Sequence, residues 1–338
     1  MGSHRRLVQT SGFNRGAGAA LCVLSAAAAA LGAVPADAAP SDGTRAEVDR
    51  LYEEAEQATE AYNKADERAD SLREEIGRAQ DGIARQQERV NSMREALGSL
   101  AGAQYRSGGL DPSLALLFSD DPEDYLDKAA VLDRINAHQA GELKDLQEAL
   151  RELAQERAEA ARTLGDLEKS RKAVASHKRA VEKKLARARE LLNALPSDER
   201  AAYDRASRSG RTEMPDLSGA VAPSGRAAAA VAAAQSALGK PYVWGANGPS
   251  GFDCSGLMQW SYARAGVALP RTSQAQRYAG HQVPLSQARP GDLVTYRGDA
   301  SHVGMYVGNG QVIHAPYPGA PVRYDPVGMM PGATVTRP

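Results

Sequence analysis

The stretch Gly251-Phe252-Asp253-Cys254-Ser255-Gly256-Leu257 carries one of the two cysteines of this 338-residue chain. The residues that follow it fit an α-helix, so Cys254 is predicted to lie in the first helical turn. Free N–H groups and the helix dipole at such a position lower the pKa of a thiol, and the same N–H groups can stabilise an oxyanion. Inert buried cysteines are also common, so Cys254 needs a base beside it to be a credible nucleophile.

Two histidines lie where consecutive predicted strands meet. His302 begins one strand and His314 ends the next, with the tight turn Gly308-Asn309-Gly310 between the strands. An antiparallel hairpin centred on this turn places the two imidazoles within about one diagonal step of each other. One imidazole would take the proton of Cys254 while the other orients it, a nucleophile–base–orienter arrangement without a carboxylate.

A zinc site is a second use for the same side chains. Cys254, His302 and His314 could supply three ligands of a tetrahedral zinc ion. The sequence shows no Cys-x-x-Cys or His-x-x-x-His pair, and such spacings often accompany zinc sites. We therefore expect no metal and no cofactor.

The N-terminus has the pattern of an export signal. An apolar run over residues 17–34 is followed by the small-x-small cleavage pattern Ala36-Asp37-Ala38. The positive charges of this region are Arg5, Arg6 and Arg15. A signal peptide over residues 1–38 is predicted, with an uncleaved anchor as the alternative, and the paired arginines also permit twin-arginine export. Cleavage removes Cys22 and leaves Cys254 as the lone thiol of a protein expected to be secreted, extracellular or cell-wall associated.

Charge and composition narrow the class of protein. The chain has 41 Lys and Arg against 42 Asp and Glu, which gives no electrostatic case for nucleic acid binding. Aromatic residues make up only 5%, which suits a chain that is partly long helix. The length allows two domains.

Two long helical segments precede residue 206. Apolar or small residues recur in alternating steps of four and three over about 45–105 and again over about 122–195, as at the a and d positions of a coiled coil. A short element between them favours an antiparallel coiled-coil hairpin over residues 39–206, with an intermolecular coiled coil as the alternative. Residues 207–225 are predicted to be a linker, and residues 226–338 are numerous enough for a core of their own.

Several motifs of the C-terminal region resemble those of a known family. They are 238–245 (LGKPYVWG), 251–257 (GFDCSGL), 269–273 (LPRTS), 289–294 (RPGDLV) and 301–306 (SHVGMY). In residues and in order they resemble the NlpC (p-sixty) family of cell-wall cysteine peptidases, specifically actinobacterial-type secreted peptidoglycan endopeptidases with an N-terminal coiled coil. The resemblance covers about residues 226–338. The chain departs from the family at Gly245-Ala246, where Gly-Gly is frequent.

The resemblance implies a papain-like α+β domain, with helices packed on an antiparallel sheet, after an all-α hairpin. It also implies a cysteine endopeptidase that cuts peptidoglycan stem peptides, commonly between D-glutamate and the diamino acid. The catalytic residues it implies are Cys254, His302 and His314. The positions it matches to substrate binding are Tyr242, Trp244, Asp253, Ser255 and Arg271, although Arg271 suits packing or loop structure equally well.

Other functions stay open at this level. The same Cys–His chemistry serves a cell-wall amidase or an acyltransferase, and a non-catalytic wall-binding regulator is an alternative of a different class. The hairpin is predicted to dock a membrane division-complex partner or to cover the active-site cleft until it is released. A passive spacer is the alternative for the hairpin.

Overall fold

The computed structural model of the protein describes residues 40–106, 122–208 and 221–338, together with residues 215, 217 and 219. The predicted signal peptide over residues 1–38 and much of the predicted linker over residues 207–225 lie outside these ranges. In the described part of the chain, no helix has both the length and the apolar character that crossing a membrane would need.

Two long helices form the N-terminal part of the described chain. Helix α1 spans Pro40–Arg106 and helix α2 spans Pro122–Ala194, followed by a short helix α3 at Ser197–Arg208. The start of α1 packs on the end of α2, and the end of α1 packs on the middle of α2. Buried residues at the first contact are Val48, Leu51, Ala55, Val181, Leu185 and Ala188, and those at the second are Val90, Ala149 and Leu153. The two helices therefore pair antiparallel within one chain.

Helix α1 has a second buried face that the heptad seam does not explain. Glu56, Thr59, Glu60 and Asn63 are each only 2% exposed. Their spacing of three and four residues places them on one side of the helix, next to the seam. Polar side chains are rarely buried unless they find hydrogen-bond partners. The C-terminal domain supplies partners to Glu56, Glu60 and Asn63, whereas Thr59 donates to a carbonyl of α1 itself.

The C-terminal domain combines three helices with a six-stranded antiparallel sheet. Its helices are α4 (Gly225–Ser236), α5 (Cys254–Arg264) and the single turn α6 (Ser273–Gln276). Its strands are β1 (His281–Val283), β2 (Leu293–Tyr296), β3 (His302–Gly308), β4 (Gln311–His314), β5 (Arg323–Pro326) and β6 (Thr334–Arg337). The strands lie in the order β1-β6-β2-β3-β4-β5. This is the predicted α+β class, preceded by the predicted all-α hairpin.

The sheet is covered on both faces. On one face, α4 and α5 pack through Ala234, Leu257 and Met258 against Val303 and Met305 of β3. The other face buries a smaller cluster of Val294, Tyr296, Val312 and Val335. Because α5 lies directly on β3, the first turn of α5 comes close to the start of that strand, where His302 lies.

The β3–β4 hairpin has the predicted register. Met305 pairs with Ile313 and Tyr306 with Val312, so the turn is centred on Asn309, whose φ is 49°. This left-handed conformation is common for asparagine in tight turns. The register brings His302 and His314 to the same end of the hairpin, as expected.

Candidate active site

Cys254 is the first residue of α5, as predicted. Asp253 caps the helix, with its Oδ1 accepting the backbone N–H of Gly256 at 2.7 Å. A Cβ at Gly256 would lie 2.2 Å from the carbonyl oxygen of Ala246, so only glycine lets this turn approach the preceding loop. The DCSG motif thus fixes the position of the thiol through a cap before it and a glycine after it.

Asp253 is also the centre of a buried ion pair. Arg271 donates from Nη1 to Oδ1 at 3.0 Å and from Nη2 to Oδ2 at 2.5 Å, and the Gly245 N–H donates to Oδ2 at 3.0 Å. Arg271 Nη1 also lies 2.9 Å from Ser255 Oγ. Asp253, Ser255 and Arg271, which were predicted to bind substrate, are therefore hydrogen-bonded to one another next to Cys254. These contacts give Asp253 and Arg271 a structural role.

A chain of hydrogen bonds runs from His302 into the sheet. His302 Nε2 lies 2.8 Å from His314 Nδ1, and His314 Nε2 lies 2.8 Å from Asp325 Oδ2. Arg323 Nε donates to the same carboxylate oxygen at 2.7 Å. The sequence predicted a nucleophile, a base and an orienting residue without a carboxylate. That expectation is wrong, because the carboxylate of Asp325 on β5 is hydrogen-bonded to His314.

Asp325 sets the positions of the protons along this chain. Burial would raise the pKa of Asp325, but His314 and Arg323 together hold it at about 2, so the carboxylate accepts only. His314 must then carry its proton on Nε2, while burial lowers the pKa of its imidazole to about 4 and keeps the ring neutral. Its free Nδ1 accepts the Nε2–H of His302, which leaves Nδ1 of His302 to exchange a proton with the thiol.

Replacing Asp325 with asparagine should damage catalysis while leaving the fold intact. The amide can donate to His314 Nε2 and stabilise the tautomer with Nδ1–H, which removes the acceptor for His302. We expect kcat to fall on the order of 10²- to 10⁴-fold with little change in KM, the size seen when an orienting carboxylate is lost. Steady-state kinetics with a soluble stem-peptide substrate measures kcat and KM separately. An equal loss in a matched Asp299→Asn variant would contradict this role for Asp325.

Helix α1 covers the nucleophile. Glu60 Oε1 lies 3.8 Å from Cys254 Sγ and accepts Ser255 Oγ–H at 2.7 Å, while Oε2 accepts the Ser273 N–H at 2.8 Å. Cys254 is left only 2% exposed. A peptide substrate cannot reach the sulfur while this contact persists.

The same helix covers the base. Glu56 Oε1 lies 2.9 Å from His302 Nδ1, and Glu56 Oε2 accepts Arg297 Nη1–H at 2.7 Å. Asn63 Nδ2 donates to Asp253 Oδ2 at 3.1 Å. Both ring nitrogens of His302 face acceptors, so in this arrangement the ring nitrogen needed by the thiol is bound to Glu56 instead.

Aromatic contacts border the polar contacts of α1. Tyr52 stacks on Tyr317, with ring centroids 5.1 Å apart, and Tyr62 meets Trp244 edge-on at 5.3 Å. Trp244 is therefore placed against the hairpin. We use the term "closed lid" for α1 residues 52–67 seated on the C-terminal domain in this way.

The closed lid reverses the predicted acidity of the thiol. Burial, together with the carboxylates of Glu60 and Glu56, raises the pKa of Cys254 well above its ordinary value. The prediction that the helix start lowers this pKa is wrong for the closed conformation, because desolvation and two nearby negative charges outweigh the helix dipole. Burial and then the charge of Cys254 likewise raise the pKa of Tyr242, which is buried in the same core cluster as Cys254.

The structure brings seven of the eight predicted site residues together around Cys254 and His302 and places the eighth, Trp244, against Tyr62 of α1. It also adds residues that the sequence did not identify. The added residues are Glu56, Glu60, Asn63, Arg297 and Asp325. Glutamates on a long helix normally face solvent, so nothing distinguishes Glu56 and Glu60 in the sequence from their neighbours. The regular spacing of Glu56, Glu60 and Asn63 on a face beside the seam is the one signal that could have found them.

Comparison with known proteins agrees with the motifs. The NlpC/P60 family matches this chain over residues 239–331. These residues form an NlpC/P60 domain. NlpC/P60 is a cysteine peptidase family, and Cys254, His302 and His314 all lie within the matched residues.

The relatives of the NlpC/P60 domain include curated proteins and solved structures. A probable endopeptidase of Mycobacterium tuberculosis is 48% identical over 99 residues, 29% of this chain and 26% of the relative. A probable endopeptidase of Corynebacterium glutamicum is 45% identical over 109 residues, 32% of this chain and 52% of the relative. The peptidoglycan hydrolase RipB of M. tuberculosis is 35% identical, with 33% of this chain and 64% of that chain covered and a TM-score of 0.32. The chain thus spans about a quarter to a half of the length of the two curated relatives.

Closure of the lid should weaken as the pH rises from about 4.5 to about 7. Burial and then the neighbouring Asp253 raise the pKa of Glu60 from 4.5 to about 7. In the open state the carboxyl regains its ordinary pKa, so the closed state binds the proton more tightly. The contribution of this proton to closure is complete below pH 4.5 and is lost as the pH rises through about 7.

The emission of Trp244, which touches Tyr62 of the lid, can follow this change in a Trp260→Phe background. The comparison is with Glu60→Gln, whose amide cannot ionise. We expect the variant to lose the part of the pH dependence that Glu60 contributes. Identical pH profiles for the two proteins would rule out Glu60 as the titrating group.

Proposed function

We propose that this protein is a cysteine endopeptidase that cuts peptidoglycan stem peptides and that is held latent by its own helix α1. The observation that carries the activity is the hydrogen-bonded chain from His302 through His314 to Asp325, with the thiol of Cys254 at the start of α5 and within 4.8 Å of a ring nitrogen of His302. The substrate class follows from the family to which residues 239–331 belong.

The geometry supports a covalent mechanism. With the lid open, His302 Nδ1 takes the proton of Cys254 and the thiolate attacks the carbonyl carbon of the scissile amide. The developing oxyanion lies at the N-terminus of α5, beside Tyr242. Protonated His302 then gives its proton to the leaving amine. A water molecule, deprotonated by His302, hydrolyses the thioester and releases the carboxyl product.

We propose the amide between D-glutamate and the diamino acid as the bond cut, on the strength of the family resemblance. Digestion of purified peptidoglycan, followed by mass spectrometry, tests this. The expected products carry a new γ-carboxyl on D-glutamate and a new free amine on the diamino acid. An amidase, the main alternative, would instead release whole stems from the sugar.

The contacts of α1 support latency. A passive spacer would not bury Glu56 and Glu60 against the base and the nucleophile, because burying a carboxylate is costly unless it is paired. The hairpin therefore acts as an inhibitor within the same chain. A non-catalytic wall-binding regulator is disfavoured, since such a protein has no use for a hydrogen-bonded His302–His314–Asp325 chain close to a thiol at a helix start.

Release of the lid requires an external event, and we propose a membrane division-complex partner that binds the hairpin. The support is a set of exposed apolar side chains on α2, namely Leu126, Val131, Ile135 and Leu143. Export, with a site at the cell surface or in the wall, is part of the same proposal, since peptidoglycan lies outside the membrane. To test export, the protein is sought in the culture medium and in the wall fraction, and its N-terminus is sequenced. We expect it to begin directly after Ala38.

A further inference from the structure

The closed lid assembles a cluster of three metal-binding groups. Glu56, Cys254 and His302 each offer one ligand atom, and these atoms lie within 4.8 Å of one another. All three residues are buried, and Glu56 belongs to α1 while the other two belong to the C-terminal domain. The set differs from the one considered from sequence, because His314 is bound to His302 and is not part of it.

We propose that these three residues form a zinc site that locks the lid over the nucleophile. Carboxylate, thiolate and imidazole are ligands that zinc prefers, whereas magnesium and calcium take oxygen ligands. Zinc–ligand bonds of about 2.0–2.3 Å place ligand atoms roughly 3–4 Å apart. Small side-chain rotations would bring the three ligand atoms from their observed separation of up to 4.8 Å to this spacing. The inference rests on the closed lid proposed above and not on the peptidase activity.

The surroundings suit a metal ligand at each position. His302 donates Nε2–H to His314, which Asp325 holds in turn, so the ring is oriented as metal-binding histidines usually are. Arg297 binds Oε2 of Glu56 and leaves Oε1 for the ion.

The charges also balance. Binding of Zn²⁺ displaces the S–H proton of Cys254 and the Nδ1 proton of His302, and both protons pass to solvent. The thiolate and the Glu56 carboxylate then neutralise the two charges of the ion. Zinc would thus replace protons in the closed state and would keep the nucleophile out of reach of substrate.

Metal titration of the full chain tests the site. The chain is stripped with a chelator and dialysed against Zn²⁺, and bound zinc is counted, while Co²⁺ provides a spectroscopic probe of thiolate ligation. We expect one ion per chain and a thiolate-to-Co²⁺ charge-transfer band. The band should vanish in Cys254→Ala, and Glu56→Gln should bind zinc on the order of 10-fold more weakly or worse. Glu74→Gln, an exposed glutamate on the same helix, is the matched control.

A second readout shows whether the ion acts on the lid. In the Trp260→Phe background, Zn²⁺ should shift the emission of Trp244 towards that of the closed state, and the shift should need Cys254. Equal zinc affinity in Glu56→Gln and in the unaltered chain, or no stoichiometric binding, would overturn the proposal. Either result leaves peptidoglycan cleavage by a lid-opened variant untouched, so failure of the zinc site and failure of the proposed activity are distinguishable.

Discussion

Replacing Cys254 with alanine is expected to reduce peptidoglycan cleavage to background, a loss of at least about 10⁴-fold when the chain is compared in an active, lid-opened form. In the proposed mechanism the thiol supplies the covalent step, and no other cysteine is found among the described residues. A nucleophile, its base and its orienter act as a unit, so loss of the sulfur removes what the histidines contribute as well. Release of soluble stem fragments, followed by chromatography, measures the effect.

The comparison needs a variant that keeps the shape of the site. Serine at position 254 preserves a polar side chain of similar size, but its hydroxyl is far less acidic than a thiol, so it should be as inactive as alanine. Thermal unfolding should show that both variants keep their fold. Substantial cleavage by either variant would place the chemistry elsewhere in the chain.

Replacing Glu60 with lysine should open the lid and activate the enzyme. The new ammonium group would be buried beside Arg271 and would lose the hydrogen bonds from Ser255 and Ser273. Leaving an unpaired charge in such a site costs about 3–5 kcal/mol, which corresponds to a shift in the closed–open equilibrium of roughly 10²-fold or more. We expect cleavage of soluble stem peptides to rise at least about 10-fold, up to the limit set by the open fraction.

Alkylation of Cys254 gives an independent measure of opening. Its rate should rise in Glu60→Lys, because the sulfur becomes accessible and leaves the two carboxylates that raise its pKa. Glu74→Lys, which makes the same charge change at an exposed position of α1, should behave as the unaltered chain does. If Glu60→Lys showed faster alkylation but no faster cleavage, the lid would be real and the proposed substrate wrong. If neither rate changed, α1 would not be inhibitory.

Local sequence patterns were sufficient for the elements that carry the chemistry. The cap at Asp253 and the glycine at Gly256 predict a helix that starts at Cys254, and the turn at Asn309 predicts the hairpin register. Both patterns act over a few residues, so the tertiary fold is not needed to recognise them. Asp325 escaped prediction because its contact with His314 depends on pairing between β4 and β5, which a local pattern does not reveal.

The sequence by itself therefore predicted a cysteine at a helix start, two histidines at one end of a hairpin, and the α+β class with its helical hairpin. Only the tertiary structure decided whether the thiol is available. A cysteine at a helix start is predicted to be acidic, yet Cys254 is desolvated beneath Glu60 and Glu56, which lie almost 200 residues earlier in the chain. A heptad pattern predicts that a helix packs against another helix along one face. It does not predict which domain packs against the neighbouring face. The acidity of this thiol depends on that second contact.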